Sequence, residues 1–197
     1  TLVIWLGCLV PIFWLIWVTW ATYVPATKRI AGLGANPIEF VHHYLGVTAI
    51  NLLLLTLAVT PAAQIFQQPF FGQYRRLIGL FSFFYAFLHL ATYVALDQFF
   101  DWHSILTDIL KRPYISIGVL AIISMLPLAI TSTSGWVKRL GASKWRQLHR
   151  LSYIAGFAAC LHFFLMQKGF QIEPIIYFII LISLLLYRLI KSQFLKK

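Results

Sequence analysis

Six histidines interrupt a chain that is 60% hydrophobic and only 11% charged. Two of them stand deep in apolar runs, His89 in Phe87-Leu88-His89-Leu90 and His162 in Leu161-His162-Phe163. An imidazole without a partner is expensive in lipid, so a histidine at that depth points to function. His89 lies fourteen residues after Arg75, ~21 Å at helical rise, and His162 thirteen after His149, ~20 Å. The two therefore reach similar depths on two different helices. Facing imidazoles at one depth can hold haem iron, one on each face of the ring. The same pair can instead hydrogen-bond and glue helices together.

His149 sits in Trp145-Arg146-Gln147-Leu148-His149-Arg150, at the edge of an apolar run. It is either an ordinary interfacial histidine or a further ligand. Thirteen steps along an ideal helix turn it about 140° away from His162. A common facing direction needs an irregularity, for which a π-bulge near Gly156 is one solution. On the other helix, Arg75 occupies the position fourteen before His89, where a matching imidazole is absent. Arg75 and Arg76 either anchor a span end or pair with haem propionates, a flavin phosphate or a quinone oxygen. His42, His43 and His103 read as interfacial or solvated. Cys8 and Cys160 are far apart, form no CxxC and read as small packing residues.

The elements that carry these residues are long apolar segments with charge clustered between them, the pattern of an all-α membrane protein. Six segments are long enough to cross ~30 Å of hydrocarbon. They are 2–24, 44–60, 76–96, 113–131, 148–166 and 174–190, and together predict a six-helix bundle. The first is too long for a signal-peptide core and lacks a small-residue cleavage site, so it reads as a retained span. No strand-length alternation suggests a membrane β-barrel. Phe99–Leu110 reads as a short interfacial helix.

The net charge of +11 does not indicate nucleic acid, because the cations cluster at the ends of apolar runs. With six spans, the termini and the second and fourth loops share one side. That side holds Arg75, Arg76, Lys138, Arg139, Lys144, Arg146, Arg150, Arg188, Lys191, Lys196 and Lys197, and no acid. The other holds Lys28, Arg29, Lys111, Arg112 and Lys168 with Glu39, Asp97, Asp101, Asp108 and Glu173. Cationic loops stay inside, so both termini are expected in the cytoplasm and the acidic loops outside it, in the periplasm if the source is a Gram-negative bacterium. No nucleophile–base set, glycine-rich phosphate loop, Rossmann fingerprint or zinc spacing occurs, so any redox chemistry is expected to depend on partners.

Several short motifs follow one another in a familiar order. They are Gly32-Leu33-Gly34-Ala35-Asn36-Pro37, Ala58-Val59-Thr60-Pro61, Arg75-Arg76-Leu77-Ile78-Gly79-Leu80, Leu88-His89-Leu90 and Lys111-Arg112-Pro113-Tyr114, then Thr131-Ser132-Thr133-Ser134, Leu140-Gly141, Trp145-Arg146-Gln147-Leu148-His149 and His162. Across nearly the whole chain this order resembles the ferric-reductase-like transmembrane domain family, and within it the MsrQ/YedZ membrane haem proteins of bacteria. The resemblance implies one such domain over residues 1–197, with haem b held between helices by His89 and His162. His149 matches the family's second pair of histidines, while Arg75 stands where its partner would be. A second haem there therefore lacks its usual sixth ligand, and a flavin or quinone site is the alternative. The resemblance also implies FMN as a cofactor and the bacterial inner membrane as location.

Functionally it implies a non-catalytic electron-transfer subunit of a protein-methionine-sulfoxide reductase system. Such a subunit takes electrons from the quinone pool or a cytosolic flavin reductase. It passes them to a periplasmic molybdopterin-dependent methionine sulfoxide reductase of the MsrP kind. A stand-alone transmembrane ferric or quinone reductase, and a non-redox transporter, are the competing readings.

Overall fold

A computed structural model describes residues 2–24, 33–167 and 169–194. Lys28, Arg29, Lys168, Lys196 and Lys197 of the charge asymmetry, and Gly32 of the first motif, lie outside the described residues. Among those described there is no strand. The helices are α1 (Leu2–Tyr23), α2 (Pro37–Ile65), α3 (Arg75–Thr92), α4 (Trp102–Lys111), α5 (Pro113–Ile130), α6 (Ser134–Leu140), α7 (Ala142–Leu148), α8 (Leu151–Met166) and α9 (Ile172–Phe194). A 3₁₀ turn, Pro69–Tyr74, leads into α3, and a π turn, Tyr93–Asp97, leads out of it. Six of these segments are long and apolar enough to cross a membrane, so this is a multi-pass helical membrane protein.

Local chemistry sets the helix starts. Pro37 and Pro113 open α2 and α5, where a missing N–H costs nothing. Asn36 caps α2 by accepting the Glu39 amide at 3.3 Å. Asp101 caps α4 by accepting the amides of His103 and Ser104. The Ser104 hydroxyl, and then these amides, hold the Asp101 carboxyl below its ordinary range. The short amphipathic helix expected over Phe99–Leu110 is α4, with Ile105 buried and Trp102, Leu106 and Leu110 exposed.

Two long antiparallel pairs form the frame: α2 lies along α3, and α5 along α8. Contacts between α3 and α5 join the pairs, α9 packs on α8 and α2, and α1 touches α3. One end of the bundle, reached by the starts of α2, α5 and α9, carries the acids. The other carries Arg75, Arg188 and the α6–α7 segment.

The helices depart from the sequence reading in two instructive places. Helix α2 runs well past the expected 44–60 at both ends, taking in His42, His43 and Pro61. Pro61 has no N–H for the Leu57 carbonyl four residues back, so a continuous helix there needs another donor. The Arg188 guanidinium of α9 supplies it, donating from Nη2 to the Leu57 oxygen. The fifth span is not one rod. It breaks at His149-Arg150, between α7 and α8, with tight Ser152-to-His149 and Tyr153-to-Arg150 amide bonds. No π-bulge occurs at Gly156. The irregularity in this segment lies at His149-Arg150 instead.

Beside Pro11 in α1 a side chain from another helix enters the next rung of the ladder. The fully buried Tyr85 accepts the Ile12 amide at 3.2 Å and donates to the Cys8 carbonyl at 2.7 Å. Tyr85→Phe leaves these two backbone groups without their bridge, at about 1–3 kcal/mol. A fall in the melting temperature of the detergent-solubilised protein is the expected readout; an unchanged one would show that the hydroxyl is dispensable.

Candidate functional site

His89 on α3 and His162 on α8 face each other across the junction of the two helix pairs. Their ring centroids are 6.2 Å apart and their planes lie at 78°. Each Nδ1 approaches a carbonyl on the neighbouring helix: His89 that of His42 at 2.9 Å, His162 that of Tyr114 at 2.7 Å. A carbonyl can only accept, so each Nδ1 carries the proton and each Nε2 keeps the lone pair. This is how a protein fixes an imidazole's tautomer and direction for a metal.

The same local device serves both rings. Four residues after His42 stands Gly46, and four after Tyr114 stands Gly118. A side chain in a helix points back toward the N-terminus, over the preceding turn, so residue i+4 normally covers the carbonyl of residue i. A Cβ at Gly46 would lie 3.0 Å from His89 Nδ1, and one at Gly118 would lie 2.9 Å from His162 Nδ1. Glycine leaves each carbonyl open to a ring from the next helix.

The arrangement suits an iron already held by a macrocycle. Two metal–imidazole bonds of about 2 Å, plus the half-widths of two five-membered rings, give about 6 Å between centroids. That matches the observed separation. Among the described residues no group of three or more His, Cys, Asp or Glu side chains is poised to hold a bare ion. His89 and His162 would supply the protein's two ligands to an iron that brings its other four nitrogens with it.

His42 is the residue at this end whose part was not legible in the sequence. Its ring lies 3.9 Å from that of His89, tilted by 33°. Thr92 spends its hydroxyl proton on the His89 carbonyl at 2.8 Å, so it accepts from His42 Nδ1 at 3.1 Å. His42 thus supports His89 through its carbonyl and its ring alike. The signal in the sequence was the His42–Gly46 spacing, which acquires meaning only once α3 lies alongside. His43 and His103 are exposed, as expected of interfacial or solvated histidines.

The other end gathers His149, Arg75 and Arg76. Gly141, at φ +76°, turns the chain from α6 into α7 in the left-handed conformation that glycine allows. This turn leads into Trp145, which donates from Nε1 to the Thr131 carbonyl at 2.8 Å. His149 stacks on Trp145 at 3.7 Å and donates from Nδ1 to its carbonyl at 3.0 Å. Its Nε2 therefore keeps the lone pair, and this atom is buried with no hydrogen-bond partner. An orphaned buried lone pair of this kind fits a metal-bearing ligand. The two arginines part ways. Arg76 is exposed, with its guanidinium 4.8 Å from the Trp145 ring centre. Arg75 is half-buried, donates to Thr60 Oγ1 at 3.4 Å and lies within electrostatic reach of His149 and Arg188.

Comparison with known proteins sets this geometry in a wider group. The family model described as "Ferric reductase like transmembrane component" matches residues 45–160. A Caulobacter vibrioides protein described as protein-methionine-sulfoxide reductase heme-binding subunit MsrQ is 44% identical over 186 residues, covering 94% of this chain and 84% of the relative. A Rhodospirillum rubrum protein of the same description is 43% identical over 190 residues, covering 96% and 86%. One from Herminiimonas arsenicoxydans is 45% identical over 159 residues, covering 79% and 72%.

Proposed function

The chain belongs to the ferric reductase like transmembrane component family, and from that premise we propose that it is the haem-binding electron-transfer subunit of a protein-methionine-sulfoxide reductase system. The observation that carries this reading is the His89–His162 pair, 6.2 Å between rings, with both Nδ1 protons committed to carbonyls. Haem b bound there supplies a one-electron carrier inside the bilayer. His89 and His162 would hold it, and their carbonyl bonds would keep the ligating nitrogens oriented. The surrounding apolar helices exclude water from it.

His149 is proposed to hold a second haem at the basic end. Arg75 and Arg76 are the cations proposed to meet cofactor anions there. FMN is carried over from the resemblance as a further cofactor, its phosphate suited to the same cations. Charge asymmetry supports an inner-membrane orientation with both termini cytoplasmic. Electrons then enter at the basic end, from the quinone pool or a cytosolic flavin reductase. They leave at the acidic end, to a periplasmic molybdopterin-dependent methionine sulfoxide reductase. The whole chain, 1–197, is read as one domain of this kind.

An absorption spectrum of the purified protein tests the reading. Reduction should give the sharp bands of low-spin, bis-imidazole haem. His149→Ala should lose one spectral component and keep the one assigned to His89 and His162. A protein with no Soret band would sink the redox reading altogether.

A further inference from the structure

Among the described residues, two buried side-chain nitrogens or oxygens lack a hydrogen-bond partner, His149 Nε2 and Arg188 Nε. Both lie at the basic end. Arg188 is half-buried on α9; its Nη1 donates to Tyr153 Oη at 2.7 Å and its Nη2 to the Leu57 carbonyl. Of its five N–H groups, the one on Nε is buried without an acceptor. Arg75 bonds to Thr60, three residues after Leu57 on α2, so the two guanidinium groups meet α2 one turn apart, and the Tyr153 that Arg188 also holds lies four residues after His149. The Arg75 bond to Thr60, at 3.4 Å, is long.

No acid offsets these charges. All five acids of the chain, Glu39, Asp97, Asp101, Asp108 and Glu173, belong to the opposite end. The ion pair found among the described residues, Arg112 with Asp108 at 3.0 Å, is there too. Two guanidinium groups drawn toward a low-dielectric bundle without a counter-charge are destabilising. An oxyanion answers both the charge and the spare N–H donors, for which guanidinium is the matching group. We infer that Arg188 and Arg75 form an internal oxyanion-binding site, filled by a carboxylate of the haem proposed on His149. One residue set thus presents a lone pair to a metal and N–H donors to an acid group of the same ligand. This rests on the second-haem reading for its source of carboxylate. A phosphate is the other source with the same chemistry.

The test uses the purified full chain in a maltoside detergent, whose headgroup carries neither carboxylate nor phosphate. Wild type, Arg75→Gln and Arg188→Met are loaded with haem b or with its dimethyl ester, which keeps the iron and removes the acids. The readout is occupancy of the spectral component that His149→Ala abolishes. Esterification should weaken that component about tenfold or more in the wild type and have no further effect in the variants. The His89–His162 component should not respond. Arg188→Met also removes the donor to Leu57 and can misfold; Arg75→Gln leaves that bond intact and decides the matter alone. If His149→Ala abolishes no component, the second haem is wrong, and the melting temperature with and without inorganic phosphate decides the site. Stabilisation by phosphate in the wild type, absent from Arg75→Gln, keeps the oxyanion site with phosphate as its ligand. Indifference of wild type and variants alike to esterification and to phosphate overturns it.

Discussion

Replacing His162 with alanine is expected to lower the haem content of the purified chain by one equivalent and to erase one low-spin component of its spectrum. The argument is one of coordination number. The proposed site offers two imidazoles, and removing one would leave the iron with a single protein bond. It also leaves the Tyr114 carbonyl without the ring proton it accepts at 2.7 Å. Changes to the groups that merely orient a ligand cost about 10–100-fold in metal affinity, so loss of the ligand itself should exceed that. His89→Ala should behave likewise, because its ring is the other member of the pair, 6.2 Å from that of His162 between centroids. Haem-to-protein ratio and the reduced absorption spectrum are the measurements. Full haem content with an unchanged midpoint potential in either variant would remove the pair from the haem site.

The second large effect is expected from a single added methyl. Gly118→Ala puts a Cβ 2.9 Å from His162 Nδ1, and Gly46→Ala puts one 3.0 Å from His89 Nδ1. At Gly118 the approach is one that real Cβ atoms essentially never show, and at Gly46 it is tighter than nine in ten of them, so each ring must shift from its carbonyl to make room. The expected cost is about 10–100-fold in haem affinity, the range for a disturbed orienting contact. In a solvent-exposed helix the same substitution would stabilise, since alanine is the better helix former by roughly 1 kcal/mol. The sign of the outcome therefore separates the two roles. Loss of haem, with the helical circular dichroism retained, supports the open-carbonyl device; a stabler protein with full haem refutes it.

The helical frame was legible because the bilayer imposes a simple rule. Each span must satisfy its own backbone hydrogen bonds over a fixed thickness, so apolar length alone reveals it. The expected 76–96 and 113–131 correspond closely to α3 with its π turn and to α5. Boundaries failed where neighbours intervened. The sequence of α2 does not show that Pro61 lies within a continuous helix, because the donor to the freed Leu57 carbonyl is Arg188, 131 residues away. The fifth span was expected over 148–166 with an irregularity near Gly156, whereas the regular helix is Leu151–Met166. Its interruption at His149-Arg150 is tied to a turn at Gly141 and to Trp145 bonded across to Thr131.

His89 and His162 stood out in the amino-acid sequence because a deep imidazole in an apolar run demands an explanation, and depth follows from residue count. Direction does not follow from it. Only the packed helices decided that His89 meets the His42 carbonyl, that His162 meets that of Tyr114, and that a glycine four residues on keeps each carbonyl open. No internal repeat is visible in the residues, yet α2 with α3 and α5 with α8 build the same imidazole seat twice. The reason is that the seat consists of two carbonyls and two missing side chains. Backbone groups and absent atoms leave no mark on composition or hydropathy, and they acquire chemistry only when another helix lies against them.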